Sequence, residues 1–480
     1  MRDGNFVRAA LARAVAGAYL GRMRTANLPR VCVIGAGSSG IASAKVLHEQ
    51  GIPFDCYELS DRVGGNWVFG NRNGISSSYR SLHINTSRER MEFSDFPMPT
   101  SYPDFARHDQ IAAYFDAYVD HFGFRDRIRF ETGVEHVERR PDGVFEVELS
   151  TGVTLEYDAV VVANGHHWDP RWPEPAFPGA ESFRGEQIHS HDYQEESQLA
   201  GKDVVVLGIG NSAMDIAVDA SYHANSVVLA ARRGAHVIPK YVFGKPMDQL
   251  AGSERLPASV RWPLVRAILR MATGRMENYG LPAPDHKFGE AHPTISGRIL
   301  DRLAHGAIAP KPNIASLDGD RVRFVDGSEV KADLIVYCTG YKITFPFFDE
   351  GLVSARDNEL ELYKHVIHPQ VPGLYFAGLV QPLGAIMPIA ERQSHLIAAH
   401  LTGEYAPPAP GRMRRDIERK REAMRKRYVA SKRHTIQVDF DDYMRELRRE
   451  IKAGARRVGG GPPSPAILRR ARAAAQPAAA

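Results

Sequence analysis

Apolar positions along the chain fall into short runs separated by glycine and polar turns. The run at 31–34 is followed by a glycine loop, a helix-length stretch over 40–50 and a second apolar run at 54–59. Short apolar runs alternating with helix-length segments predict βαβ units and a parallel sheet. A helix is predicted over 111–122. Strands are predicted over 144–149 and 154–163, the second ending at Asn164-Gly165, and a Pro-rich linker follows at 170–178. At Lys202 the pattern restarts, with a strand over 204–207, a glycine loop, a helix over 212–222 and a strand over 226–231. Two later apolar runs, 333–338 and 374–377, predict strands ending at Gly340 and Gly378. Residues 240–300 are rich in Pro, Met and His without a clear period, as expected of a covering, lid-like segment. Beyond Pro407 the chain is Arg-rich and helical in pattern.

With 480 residues the chain exceeds what one core usually holds, so several packed units are expected. The reading is an α/β protein with two Rossmann-like dinucleotide-binding domains, the second inserted into the first. The first domain would occupy 30–168 and 333–455, and the second 169–332. A basic leader, helical or disordered, would precede them over 1–29, with Met23 preferred as the natural start. A disordered Gly, Pro and Ala tail would follow over 456–480.

Apolar residues at 43% and charged residues at 25% place the chain with globular proteins and exclude disorder throughout. Net charge is +4, but residues 1–30 carry six Arg against Asp3 alone, and residues 411–480 carry 20 Lys or Arg against eight acids. No nucleic-acid motif accompanies either basic end, so no nucleic-acid partner is expected; peripheral contact of the tail with an anionic membrane surface stays open. No run approaches the roughly 20 apolar residues of a membrane span, so no integral segment is expected. Cys32, Cys56 and Cys338 lack the spacing of a disulfide framework or zinc site, which suggests an intracellular, cytoplasmic protein. His166, His167, His189 and His191 fit no zinc spacing either, and no metal is expected.

Two loops carry chemistry. Gly35-Ala36-Gly37-Ser38-Ser39-Gly40 is a GxGxxG between strand and helix, with Glu58 18 residues past Gly40 at the end of the next strand. Glycines there let the backbone approach a pyrophosphate at the helix N-terminus, and the acid accepts from ribose hydroxyls, which predicts an ADP-binding unit. Gly64-Gly65-Asn66-Trp67, just beyond, would run back along the same ligand. The second loop is Gly208-Ile209-Gly210-Asn211-Ser212-Ala213, and its next strand ends in Arg232-Arg233 instead of an acid. A guanidinium there can pair with a 2′-phosphate, so this unit should prefer NADPH to NADH. Two dinucleotide units in one chain imply FAD, NADPH and hydride transfer between them.

Between the loops, residues 183–193 fit FxGxxxHxxxY through Phe183, Gly185, His189 and Tyr193. Together with the two loops this resembles the class B flavin-dependent monooxygenases, and Tyr193 where Baeyer–Villiger members usually show Trp resembles the flavin-containing monooxygenase branch. Residues 85–97, Gly165-His166-His167, Ala291-His292-Pro293-Thr294, Cys338-Thr339-Gly340-Tyr341, residues 378–384 and RHTIQVDF at 433–440 extend the likeness from about residue 30 onward. The resemblance implies an FAD site made by the first loop, Glu58, Asn66, Trp67, Asn85, Thr86 and Gln381. It implies that Ser212, Ala213, Met214 and Asp215 belong to the NADPH site, beside Gly208, Gly210, Asn211, Arg232 and Arg233 already read from the second loop and the strand end. It further implies that reduced flavin and O2 form a C4a-hydroperoxide that oxygenates the nitrogen or sulfur of a small nucleophilic amine or sulfide. Asn85 is then the candidate catalytic residue, a donor that cannot titrate beside the flavin. A homodimer is the candidate assembly. The chain ends in RRARAAAQPAAA, unlike the apolar tail of the vertebrate membrane members.

Three other readings compete. Baeyer–Villiger insertion into a ketone is the sibling reaction, opposed by Tyr193. A disulfide reductase needs a redox cysteine pair that Cys32 and Cys56 do not form in sequence. A non-catalytic nucleotide-binding flavoprotein would load flavin without turning over NADPH.

Overall fold

The computed structural model describes residues 28–251, 258–291, 293–427 and 435–458. The leader over 1–27, most of the expected tail, His292 and the start of the RHTIQVDF stretch lie outside the described residues.

Valine-rich runs whose every side chain is buried can only lie inside a sheet covered on both faces. The first unit is such a sheet: β1 (Val31–Ile34) sits at its centre, pairing in parallel with β2 (Phe54–Tyr57) and with Ala159–Val162. Ile128–Arg129 and Leu374–Phe376 complete the two edges. Helix α1 (Ser38–Glu49) returns the chain from β1 to β2 and packs with Met387–Thr402 on one face. It begins two residues earlier than expected because Gly37 already serves as its N-cap.

The second unit repeats the plan. β3 (Asp203–Leu207) is central, with β4 (Ser226–Ala230) and Ala309–Lys311 on one side and Leu334–Tyr337 and Glu186–His189 on the other, all parallel. Helix α2 (Asn211–His223) joins β3 to β4. The chain leaves the first sheet after Val162, builds the second, and returns at Leu374, so the second unit is an insertion into the first.

Two expectations are corrected. Leu334–Tyr337 belongs to the second sheet, paired with Val204–Leu207, so the boundary placed at 333 falls after this strand. The strand expected over 154–163 is two strands: Thr154–Tyr157 pairs with Phe145–Leu149 in a separate antiparallel sheet, and Ala159–Val162 enters the parallel one. The turn between them is fixed by the Asp158 and Ala159 N–H groups, both of which donate to the Arg30 carbonyl. Alternation changes from half-exposed to fully buried across that turn. Each unit carries one such three-stranded antiparallel sheet, the other being Ile314–Asp318, Arg321–Phe324 and Glu329–Lys331. Phe145 and Val147 thereby cover the face of the first sheet opposite α1, and Val322 and Phe324 do the same for the second.

Candidate active site

Two glycines of the first loop are needed by the fold itself. Gly35 has a φ of +98°, and a Cβ there would lie 2.7 Å from the Ala163 carbonyl oxygen; at Gly40 it would lie 1.8 Å from the Gly35 carbonyl oxygen. Gly37 differs. Its φ is −73°, open to any residue, and a Cβ would meet nothing nearer than Gly65 Cα at 3.6 Å. The protein has room for a methyl group there, so packing does not require the glycine and the space in front of α1 is open to a ligand. The first-turn N–H groups of a helix have no intrahelical acceptor, and α1 has no side-chain cap. This cradle fits the pyrophosphate of a dinucleotide.

Glu58 follows β2 and is buried, its Oε2 accepting from the Ala36 N–H at 2.6 Å and its Oε1 from the Ser60 N–H at 2.8 Å. Burial pushes its pKa up against the pull of those backbone donors. Each oxygen keeps a lone pair with which to accept from a ribose hydroxyl. The Gly64–Trp67 turn is tied to this loop by the Gly64 N–H, which donates to the Ala36 carbonyl at 3.1 Å. Asn66 is exposed and orders its own neighbourhood, its Oδ1 accepting from Ser77 N–H at 2.7 Å and Ser77 Oγ at 2.9 Å. Trp67 packs on the core of the first unit.

The second loop is built alike. Gly208 has a φ of +144° with a Cβ position 2.7 Å from the Cys338 carbonyl oxygen, and Gly210 caps α2 in an extended conformation without a side-chain cap. Thr294 braces it by donating to the Ile209 carbonyl at 2.6 Å, and the Ile295 N–H donates to Asn211 Oδ1 at 2.9 Å. The Asn211 side-chain oxygen is therefore engaged within the protein. Ala213 and Met214 are fully buried in the second core, so their side chains support the loop from beneath. Ser212 is half-buried at the start of α2. At the end of β4, Arg233 Nε lies 3.4 Å from Asp285, whereas Arg232 is exposed and makes no ion pair among the described residues.

Residues 79–81 join the two units. Tyr79 OH donates to Asp215 Oδ2 at 2.7 Å, the Arg80 N–H donates to the Gln194 carbonyl at 2.8 Å, and Ser81 Oγ donates to Asp219 Oδ2 at 2.5 Å. Tyr193 OH donates to the same Asp219 oxygen at 2.9 Å. Asp215 and Asp219 lie one turn apart on α2, so one helix face presents both acceptors. Burial pushes Asp215 up to about 6. Asp215 is expected at the nucleotide from sequence, whereas Asp219, Tyr79 and Ser81 carry no signal there, because their pairing joins residues more than 100 positions apart. His189 is fully buried with its Nδ1 accepting from the His191 N–H at 3.0 Å, and burial holds its pKa down to about 4.

Four residues past Ser81 stands Asn85, half-buried, with its Oδ1 buried and lacking a hydrogen-bond partner among the described residues. Thr86 beside it is buried. An unpaired buried amide oxygen is costly in a finished protein, which fits a residue whose partner is a ligand. Gln381 is half-buried on Gln381–Leu383, its N–H donating to the Ile436 carbonyl at 2.8 Å.

Among the described residues no group of three or more His, Cys, Asp or Glu could hold a metal ion. All three cysteines are free thiols, and burial pushes each one's pKa up, that of Cys338 to about 12, so none is a thiolate at neutral pH. No helix of the described residues is long and apolar enough to cross a membrane.

A family model described as flavin-binding monooxygenase-like matches residues 28–457. The chain is 38% identical over 437 residues to flavin-containing monooxygenase 5 of Oryctolagus cuniculus, covering 87% of this chain and 82% of the relative. It is 36% identical over 444 residues to dimethylaniline monooxygenase [N-oxide-forming] 2 of the same organism, covering 88% and 83%. Among solved structures it resembles S-allyl-L-cysteine S-oxygenase from Allium sativum, with a TM-score of 0.67, 26% identity and 88% of each chain covered. An open structure of cyclohexanone monooxygenase shares the fold, with a TM-score of 0.68 at 17% identity.

Proposed function

From the premise that this chain belongs to the flavin-binding monooxygenase-like family, we propose that it is an FAD- and NADPH-dependent enzyme that oxygenates the nitrogen or sulfur of a small nucleophilic amine or sulfide. For a tertiary amine the reaction balances when one amine, one O2, one NADPH and one proton give the amine N-oxide, one water and NADP⁺. Bound flavin supplies the two-electron acceptor for NADPH and the centre that activates O2.

The observation that carries this reading is the Asn85 side-chain oxygen, buried and without a partner among the described residues, on a segment stitched between two glycine-loop units. The first loop, with Gly37 and Glu58, would hold the ADP part of FAD. Ser212 and the α2 N-terminus would hold the pyrophosphate of NADPH, and Arg232, which makes no ion pair among the described residues, would meet its 2′-phosphate. Asn85 would hydrogen-bond at the flavin's reacting side without titrating, keeping a directed dipole where a carboxylate or histidine would exchange protons. The names of the relatives, an N-oxide-forming enzyme and an S-oxygenase, support nitrogen or sulfur as the acceptor atom.

The test is flavin reduction in the full chain under anaerobic conditions, followed by air and a thioether or tertiary amine. Bleaching by NADPH much faster than by NADH, then sulfoxide or N-oxide on aeration, is the expected result. A flavin that NADPH does not bleach would refute the enzyme reading in favour of a non-catalytic flavoprotein. A ketone converted to ester while amines and thioethers stay intact would overturn the acceptor assignment.

A further inference from the structure

A loop directs a side chain only as firmly as its own backbone is held, and Asn85 lies outside every helix and strand. The first unit ties this loop through the Ile84 N–H, which donates to the Ala106 carbonyl at 3.0 Å. Two more ties come from the covering segment, whose sequence shows no chemistry of its own. Lys240 Nζ donates to the Ile84 carbonyl at 3.1 Å, on the peptide that enters Asn85. Asp248, on the short helix α3 (Met247–Ala251), accepts at Oδ2 from both the Ser87 N–H at 2.7 Å and Ser87 Oγ at 2.8 Å. The reactive loop is thus gripped on both sides of Asn85 by charged side chains from one segment.

The grip is not built from spare surface charge. Lys240 lies over the Phe105 ring at 4.8 Å, and burial lowers its pKa, with Asp215 pulling the other way. Asp248 keeps its second oxygen, Oδ1, buried without a partner among the described residues. Desolvating a lysine and an aspartate is expensive, and neutral backbone bonds would suspend a loop as well. What charged donors and acceptors add is direction and stiffness, because hydrogen bonds to charged groups are the strong ones.

Resting on the reading in which Asn85 meets the flavin, we infer that Lys240 and Asp248 are positioning residues that set the direction of the Asn85 carboxamide, and that this is the chemical work of the covering segment. Neither residue needs to touch a substrate. Removing either would leave flavin loading and reduction in place while the amide wanders, and reducing equivalents would escape as hydrogen peroxide.

The experiment uses the full FAD-loaded chain with methyl phenyl sulfide as probe and reads FAD content, the anaerobic rate of reduction by NADPH, and peroxide released per NADPH oxidised. Asp248→Ala and Lys240→Met should keep FAD content and reduction within about twofold of wild type and raise the peroxide fraction by about threefold or more. Lys240→Arg and Asp248→Asn, which retain a donor and an acceptor, should recover most of the coupling. In an Asn85→Ala background, Asp248→Ala should add nothing, since groups acting through one residue are not additive. A full additional increment there would overturn the inference, as would wild-type coupling in Lys240→Met. Should Asp248→Ala fail to fold, the Lys240 pair and Asp248→Asn decide the matter. Failure of the underlying reading looks different: Asn85→Ala alone would then couple like wild type.

Discussion

Replacing Gly37 by alanine separates what the fold requires from what a ligand requires. The backbone at 37 is extended with a φ of −73°, and the new methyl would stand 3.6 Å from its nearest neighbour, an ordinary contact. Stability without ligand should therefore change by no more than about 1 kcal/mol, since alanine restricts the unfolded chain by about 0.4–1 kcal/mol, which offsets a loss of similar size from its being a poorer N-cap than glycine. Flavin binding should suffer far more. A methyl in front of α1 pushes a pyrophosphate away from the first-turn N–H groups, losing one or two charge-assisted hydrogen bonds of about 1.5–3 kcal/mol each. That corresponds to FAD binding weakened by roughly tenfold to more than ten-thousandfold. Gly40→Ala is the contrast, because its Cβ would fall 1.8 Å from the Gly35 carbonyl oxygen and the loop cannot form around it. The assay is thermal unfolding of stripped protein alongside FAD titration by quenching of flavin fluorescence. Gly37→Ala should melt like wild type and bind FAD poorly, and Gly40→Ala should melt early or not fold. Wild-type FAD affinity in Gly37→Ala would refute the reasoning, and so would a melting loss equal to that of Gly40→Ala.

Other outcomes follow from the same geometry. Arg232→Ala should raise the KM for NADPH by about tenfold or more and leave that for NADH within about twofold, while Arg233→Ala, already paired with Asp285, should do much less; steady-state kinetics with both cofactors checks this. Tyr193→Phe leaves Asp219 with Ser81 as its hydroxyl donor and should lower stability by about 1–3 kcal/mol in denaturant unfolding. His189 has a folded pKa of about 4 against an ordinary 6.5, so the unfolded chain takes up its proton first as pH falls. Its contribution is complete above pH 6.5 and is lost progressively toward pH 4, by about 3 kcal/mol in all. The stability difference between wild type and His189→Asn should accordingly shrink from about pH 7 to about pH 5, and a constant difference would count against the buried neutral ring.

Where sequence and structure agree, the reason is local. The two glycine loops, their flanking strands and the helices behind them are written in contiguous residues, because a buried parallel strand must be apolar throughout and the turn after it must be small. The break at Asp158 was not legible, since 154–163 reads as one apolar-rich run while its two halves join different sheets. Nor was the second-sheet place of Leu334–Tyr337, because an apolar strand carries no mark of which sheet will receive it. The loop roles of Asn211, Ala213, Met214 and Asp215 look alike in sequence, and only packing separates a brace from a group free to meet a ligand. Lys240 and Asp248 were hidden for the same reason: their partners, Ile84 and Ser87, lie more than 150 residues away, and nothing in the 240–250 composition points to them.

The central claim is that two nucleotide sites in one chain serve a single oxygen transfer. Its most direct test is turnover of the FAD-loaded protein with NADPH, isotopically labelled dioxygen and a tertiary amine or thioether, with product mass and NADPH consumption followed together. The account predicts one labelled oxygen atom in each N-oxide or sulfoxide and close to one product per NADPH. Unlabelled product, or NADPH consumed with all the oxygen recovered as hydrogen peroxide whatever amine or thioether is supplied, would contradict it.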